Sequence, residues 1–168
     1  MKQSLTIFWS RVVLLAMLIL AAIPLTAAAF DDADALQGMT TGKAVFDVTM
    51  GNPEKLALYL SLIDETYQGL VRQGVKPDVI VAFHGDAIAL VSKSRAKVPK
   101  SKLSKYDDIA MLIKDLKELG VKLEGCAIAA RLLKVNPDSI YPEVKVVGNT
   151  FISLIGYQNR GYAYIPIF

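Results

Sequence analysis

Histidine and cysteine are almost absent from this sequence, whose 168 residues include one of each, His84 and Cys126. Two such residues are too few for a structural zinc site built from nitrogen and sulfur ligands. A single cysteine also excludes an internal disulfide bond, and it leaves a thiol that is buried and inert, reactive, or paired with another molecule. We expect neither a metal ion nor an internal disulfide.

Phosphate-binding and hydrolase motifs are absent as well. The sequence contains no G-x-x-x-x-G-K-[ST] loop, no G-x-G-x-x-G turn and no G-x-S-x-G turn, which argues against nucleotide binding and against a serine hydrolase. The turn after the first predicted strand, 50–53, lacks the hydroxyl donors of a flavin-phosphate loop. We therefore expect no cofactor.

An excess of charge of one sign is also missing. The chain has 19 basic and 16 acidic residues, and two of the basic ones, Lys2 and Arg11, lie in the first 29 residues. Binding to nucleic acid needs clustered positive charge, so we expect no nucleic-acid partner. One basic segment, 92–105, is interpreted as a solvated loop, with a docking patch for an acidic partner or anionic lipid as the alternative.

Residues 1–29 have the composition of a secretory signal peptide. Lys2 and Arg11 form the basic start, the run 12–23 is apolar, and the small residues 27–29 fit a cleavage site after Ala29. The apolar run has 12 residues, whereas a membrane span needs about 20. We expect an exported, for example periplasmic, protein with no stable membrane insertion after cleavage. An uncleaved anchor is the alternative.

The rest of the chain alternates strands with helices. Residues 30–42 predict a flexible arm, and 43–168 predict one domain. Apolar and β-branched runs predict strands at 43–50, 78–83, 121–125, 144–147 and 161–167. Helices are predicted with Asn52 and Ser104 as N-caps, over 127–133, and after the capping segment 148–150, while 87–91 fits either a strand or a short helix. This alternation is typical of an α/β fold with a mainly parallel sheet of about five strands.

The candidate site follows from this topology. Ligands of open α/β sheets bind outside the carboxyl ends of the strands, where 50–52, 84–86, 126–127 and 148–150 are expected to meet. Cys126 lies between a strand and the start of a helix, a position that stabilises a thiolate. His84 either contacts a substrate or shares a proton with the thiol. The alternative is that 84–86 is only a turn, with Asp86 as the N-cap of the next helix.

Several motifs resemble the DsrE/DsrF-like family over 43–168. They are Phe-His-Gly-Asp at 83–86, Leu-Gly-Val at 119–121 before Gly-Cys-Ala at 125–127, Val-Gly-Asn at 147–149 and Gly-Tyr-Ala-Tyr at 161–164. The resemblance is greatest to an exported, stand-alone branch. It implies a three-layer α/β/α sandwich with a parallel five-stranded sheet, assembly into trimers or hexamers, and a persulfide on the cysteine at position 126.

Three functions follow from the residues and this resemblance. In the first, Cys126 accepts sulfane sulfur as a persulfide from an unknown donor and passes it to an unknown acceptor, with His84 tuning the thiol. In the second, the site binds a small ligand through Asn52, Gly85, Asp86 and Asn149, and Cys126 is silent. In the third, the chain is a structural subunit of a homo-oligomer. Assembly is also indicated by the apolar residues Ile165, Ile167 and Phe168 at the end of the sequence.

Overall fold

The computed structural model describes residues 31–96 and 98–168. The predicted signal peptide and its cleavage site lie outside these residues. In the described part, no helix has both the length and the apolar character needed to cross a bilayer. Residues Ala33–Phe168 form one compact unit.

Five parallel strands form one sheet in the order β4-β3-β2-β1-β5. Their bounds are β1 Thr41–Val48, β2 Lys76–Phe83, β3 Lys122–Cys126, β4 Val144–Val147 and β5 Ala163–Ile167. The predicted α/β class with a parallel five-stranded sheet is confirmed. The sheet begins earlier than predicted, because Thr41 pairs with Lys76 and so takes two residues from the predicted arm.

The helices connect successive strands. Their bounds are α1 Pro53–Arg72, α2 Ala87–Leu90, α3 Leu103–Glu118, α4 Ala127–Leu132 and α5 Thr150–Asn159, with short 3-10 turns at Lys100–Lys102 and Pro137–Ser139. The Asn52 side chain accepts a backbone N–H bond at the start of α1, as predicted, and within the predicted capping segment 148–150 the Asn149 side chain does so at the start of α5. The predicted N-cap at Ser104 is wrong. A 3-10 turn at Lys100–Lys102 leads into α3, which begins at Leu103, so that Ser104 lies within the helix.

Two apolar cores lie on opposite faces of the sheet because side chains alternate along each strand. In β2, Val79, Val81 and Phe83 face the larger core, which is covered by α1 and α3, while Ile80 and Ala82 face the smaller core under α5. The result is a three-layer arrangement. The carboxyl ends of β1, β2 and β3 emerge together at one edge of it.

Candidate functional site

A cavity of about 310 Å³ opens beyond the carboxyl ends of β2 and β3. Its lining combines polar and apolar side chains: His84, Gly85, Asp86, Cys126, Ile128, Ala129, Leu132, Leu133, Asn149, Thr150 and Phe151. The predicted segments 84–86, 126–127 and 148–150 therefore contribute to one site. Asn52 does not line this cavity, and its side chain caps α1 instead.

Cys126 is the last residue of β3 and precedes α4 directly. Its side chain is buried, with 5% of the residue exposed. Burial raises the pKa of the thiol, but hydrogen bonding from the Thr150 amide, the Ala129 and Ile128 amides and the Thr150 hydroxyl outweighs it. The net effect is a pKa below the usual value for cysteine, because these donors stabilise the thiolate more than burial disfavours it.

The hydroxyl of Thr150 has a particular relation to this thiol. Thr150 is fully buried at the first position of α5. Its Oγ1 acts to lower the pKa of the thiol, yet it makes no hydrogen bond of regular geometry to any described residue. A buried hydroxyl without a partner is costly. The thiolate, or an anionic group attached to the sulfur, offers this hydroxyl the acceptor that it lacks.

His84 is held by a buried carboxylate on the neighbouring strand. Its backbone N–H donates to Val48 O, which extends the β1–β2 ladder by one residue. Its Nε2 lies 2.6 Å from Asp47 Oδ1, and the other oxygen of Asp47 accepts a 2.7 Å hydrogen bond from the Tyr164 hydroxyl. With Asp47 ionised, Nε2 carries the proton and Nδ1 is left without a partner among the described residues.

The outer wall of the cavity is apolar. The ring of Phe151 meets the His84 ring edge to face, with centroids 5.3 Å apart. Phe151 is 60% exposed and Leu132 is 69% exposed, and Ile128 and Leu133 add to the same rim. An entering molecule would therefore pass an apolar rim before it meets the polar groups around the sulfur.

The turn after β2 lies at the cavity, and its backbone also fits the alternative that 84–86 is only a turn between a strand and a helix. Gly85 adopts φ +53°, a conformation that favours glycine, and Asp86 occupies the N-cap position of α2 without a side-chain capping bond. Asp86 lines the cavity, and its side chain lies against the backbone of Gly51. In contrast, the Asn149 side chain accepts from the Phe151 N–H.

Asp47 and Tyr164 were not among the sequence-predicted site residues. One signal was present: Asp47 is a lone carboxylate in the apolar run that predicts the first strand, and a buried charge needs a partner. The identity of that partner depends on the strand order, because β1 lies between β2 and β5. The sequence alone does not give this order.

The family comparison agrees with the fold. The model of the DsrE/DsrF-like family matches residues 43–167. An uncharacterised protein of Aquifex aeolicus is 34% identical over 125 residues, which cover 74% of this chain and 55% of that protein. The chain thus matches only about half the length of this relative.

Two solved structures share the fold. One is MTH1491 of Methanobacterium thermoautotrophicum, a protein of unknown function, with a TM-score of 0.59, 16% identity, and coverage of 75% of this chain and 99% of that one. The other is the ychN protein of E. coli, with a TM-score of 0.53, 13% identity, and coverage of 76% and 100%. At these identities the likeness concerns the fold alone. From the family match over most of its length, we conclude that the chain belongs to the DsrE/DsrF-like family.

Proposed function

We propose that this protein carries sulfane sulfur as a persulfide on Cys126. The observation that supports this most directly is the environment of the thiol: Cys126 lines a cavity, and amide and hydroxyl donors lower its pKa. A thiolate is the nucleophilic form of cysteine. Export to the periplasm, as the residues 1–29 suggest, is part of the same proposal.

The chemistry needs a donor with a sulfur–sulfur bond, such as an organic persulfide. The Cys126 thiolate attacks the outer sulfur of R–S–SH, the bond between the two donor sulfurs breaks, and its electron pair leaves with the inner sulfur as R–S⁻. The products are the Cys126 persulfide and the thiol R–SH once R–S⁻ is protonated. No net oxidation occurs, because the outer sulfur only changes its partner.

The surroundings of Cys126 suit the product as well as the attack. A persulfide ionises to an anion, and the donors around Cys126 that stabilise a thiolate are placed to stabilise it too. The chain has no second cysteine, so no resolving thiol in the same chain can release the sulfur as a disulfide. Delivery therefore requires an acceptor on another molecule.

The test is intact-mass spectrometry after incubation with glutathione persulfide. We expect the native protein to gain the mass of one sulfur atom, reversibly with a reducing thiol, and Cys126→Ser to gain none. Thermal unfolding of the variant controls for folding. A native protein that gains no sulfur under conditions where a low-molecular-weight thiol does would refute the proposal.

A second candidate is a small-ligand-binding module with a silent cysteine. The observation that favours it is the 5% exposure of Cys126 at the base of a largely apolar cavity. Gly85, Asp86 and Asn149 would then contact the ligand, since all three line the cavity. If native Cys126 resists both the sulfur donor and iodoacetamide until denaturant is added, this candidate replaces the first.

We also propose that the protein assembles into a homo-oligomer. In β5, Ile165 is 37% exposed, and the adjacent Phe168 is 77% exposed, whereas Ile167 is buried in the core. Docking of β5 in the sheet thus accounts for only one of the three apolar residues. Light scattering should give a mass above that of one chain, and a monomer at micromolar concentration would contradict the assembly.

A further inference from the structure

We infer that Asp47 and Tyr164 are positioning residues of this site, which orient His84 so that its Nδ1 gives a proton to the sulfur that leaves the donor. The inference rests on the proposed sulfur transfer at Cys126. It concerns the part of the cavity that is lined by His84. It assigns to His84 a task on the substrate rather than on Cys126.

The first step is the fixed orientation of the imidazole. Asp47 is 5% exposed and pairs with Ala82 of β2 and Pro166 of β5, so its carboxylate lies within the sheet rather than on a mobile loop. It accepts from Tyr164 through one oxygen and faces His84 Nε2 through the other. Histidines that transfer protons usually have one ring nitrogen hydrogen-bonded to a carboxylate, which orients the ring and leaves the other nitrogen for the substrate.

The second step is the separation of His84 from the groups that tune the thiol. The donors that lower the pKa of Cys126 are amides and the Thr150 hydroxyl. His84 makes its side-chain hydrogen bond to Asp47 instead. Both residues nevertheless line the same cavity. A molecule that occupies this cavity can therefore contact both the sulfur and the imidazole.

The third step is the fate of the proton. The Cys126 thiol has lost its proton to solvent before the attack, so that Cys126–S⁻, R–S–SH and one proton become Cys126–S–SH and R–SH. His84 Nδ1 takes up that one proton from solvent and gives it to R–S⁻ as the sulfur–sulfur bond breaks. This help matters most for a basic leaving group such as an alkyl thiolate, and least for a thiolate of low pKa. The substrate class that fits is an alkyl persulfide.

The leaving group gives an experiment that does not need a persulfide. Cys126 is treated with two small disulfides, bis(2-hydroxyethyl) disulfide, which releases a basic thiolate, and 4,4′-dithiodipyridine, which releases a weakly basic one. We expect Asp47→Asn to slow the first reaction by about tenfold or more and the second far less, so that the ratio of the two rates changes. Tyr164→Phe should change the ratio in the same direction by a smaller factor.

A double-mutant cycle shows whether Asp47 acts through His84. His84→Ala should change the ratio at least as much as Asp47→Asn, and adding Asp47→Asn to His84→Ala should change it no further. Equal slowing with both disulfides, or an additive effect in the double variant, would overturn the inference. If Asp47→Asn fails to fold, the same cycle with Tyr164→Phe decides.

The outcome is separable from that of the proposed function. A protein that gains sulfur from glutathione persulfide but shows an unchanged ratio in the variants contradicts only the positioning inference. A protein whose ratio changes as expected but which gains no sulfur contradicts the proposed function, and leaves His84 as a proton carrier for disulfide exchange.

Discussion

Thr150 presents two donor groups to Cys126, its backbone N–H and its hydroxyl, and both act to lower the pKa of the thiol. The N–H belongs to the first turn of α5, whose amides have no acceptor within the helix, and the Asn149 side chain caps the same turn through the Phe151 N–H. The hydroxyl makes no hydrogen bond of regular geometry to a described residue. One residue thus links the start of a helix to the reactivity of a sulfur on a different element.

Thr150→Val should raise the pKa of Cys126, because valine keeps the shape of threonine but has no hydroxyl. The loss of one hydrogen bond to a charged group should reduce the alkylation rate at pH 7 by about tenfold. The measurement is the rate of reaction with iodoacetamide as a function of pH. Thr150→Ser keeps the hydroxyl and is the matched control; equal profiles for the valine and serine variants would contradict the role of the hydroxyl.

Gly125→Ala should destabilise the protein and disturb the cavity. A methyl group at Gly125 would lie 3.0 Å from Ile88 Cδ1 and 3.1 Å from Val144 Cγ1, in a packed core. We expect a loss of about 1–3 kcal/mol in the free energy of unfolding, measured by urea denaturation. Ile88→Val removes the atom that clashes, so the double variant should regain part of the loss. If Ile88→Val instead adds its own cost to that of Gly125→Ala, the clash is not the cause.

Tyr157→Phe should reduce stability at neutral pH. The Tyr157 hydroxyl donates a 2.6 Å hydrogen bond to the buried Glu124 Oε1, and Glu124 Oε2 has no partner in the described part of the chain. Without the tyrosine hydroxyl the carboxylate loses that donor, at a cost of about 1–3 kcal/mol. Urea unfolding at pH 7 gives the value.

The same pair predicts a dependence on alkaline pH. Burial, followed by the hydrogen bond to Glu124, raises the pKa of Tyr157 to about 12. Because the folded pKa lies above the ordinary tyrosine value of 10.0, the stabilisation is complete below pH 10 and is lost as the pH rises towards 12. The difference in stability between the native protein and Tyr157→Phe should narrow over this interval. A constant difference would exclude the hydrogen bond as its source.

Asp78 should stabilise the fold at neutral pH and cease to do so in acid. Burial acts to raise its pKa, but hydrogen bonds from the Tyr162 hydroxyl and Lys122 Nζ, at 2.6 and 2.9 Å, lower it overall. The stabilisation is therefore present above the ordinary aspartate pKa of 3.8 and is lost as the pH falls through the lower pKa of the folded state. Asp78→Asn should be less stable than the native protein at pH 7, with a smaller difference at pH 3 by urea unfolding.

The fold was predictable because its signals are local. Apolar runs such as 78–83 identify buried strands, and the alternation of strands with helices implies a parallel sheet. Cys126 and His84 could be assigned to one edge, since both follow strands of that sheet. The start of α3 was mistaken because Ser104 has the spacing of a capping box, whereas the chain already turns at Lys100–Lys102.

The support of the site was not predictable in the same way. Asp47 and Tyr164 are 117 positions apart and meet only because β5 pairs with β1. Nothing in the sequence distinguishes the hydroxyl of Thr150 from that of any other threonine. That it is buried without a hydrogen-bond partner in the described residues follows only from the packing of α5 against the end of β3. Contacts of this kind depend on the strand order and on side-chain packing, which a pattern of apolar residues does not encode.

The pairing of the last described strand with the first has a consequence for folding kinetics. β1 precedes β5 in the chain, and the hydrogen bond between Asp47 and Tyr164 forms only when β5 pairs with β1. This contact closes a loop of 117 positions, and contacts between residues so far apart in the sequence form slowly. A partly folded chain can therefore contain β2, β3 and the Cys126 thiol before the Tyr164 hydroxyl has bound Asp47, the carboxylate that orients His84. During refolding, the reactivity of Cys126 towards alkyl disulfides should therefore reach its native value later than its reactivity towards iodoacetamide.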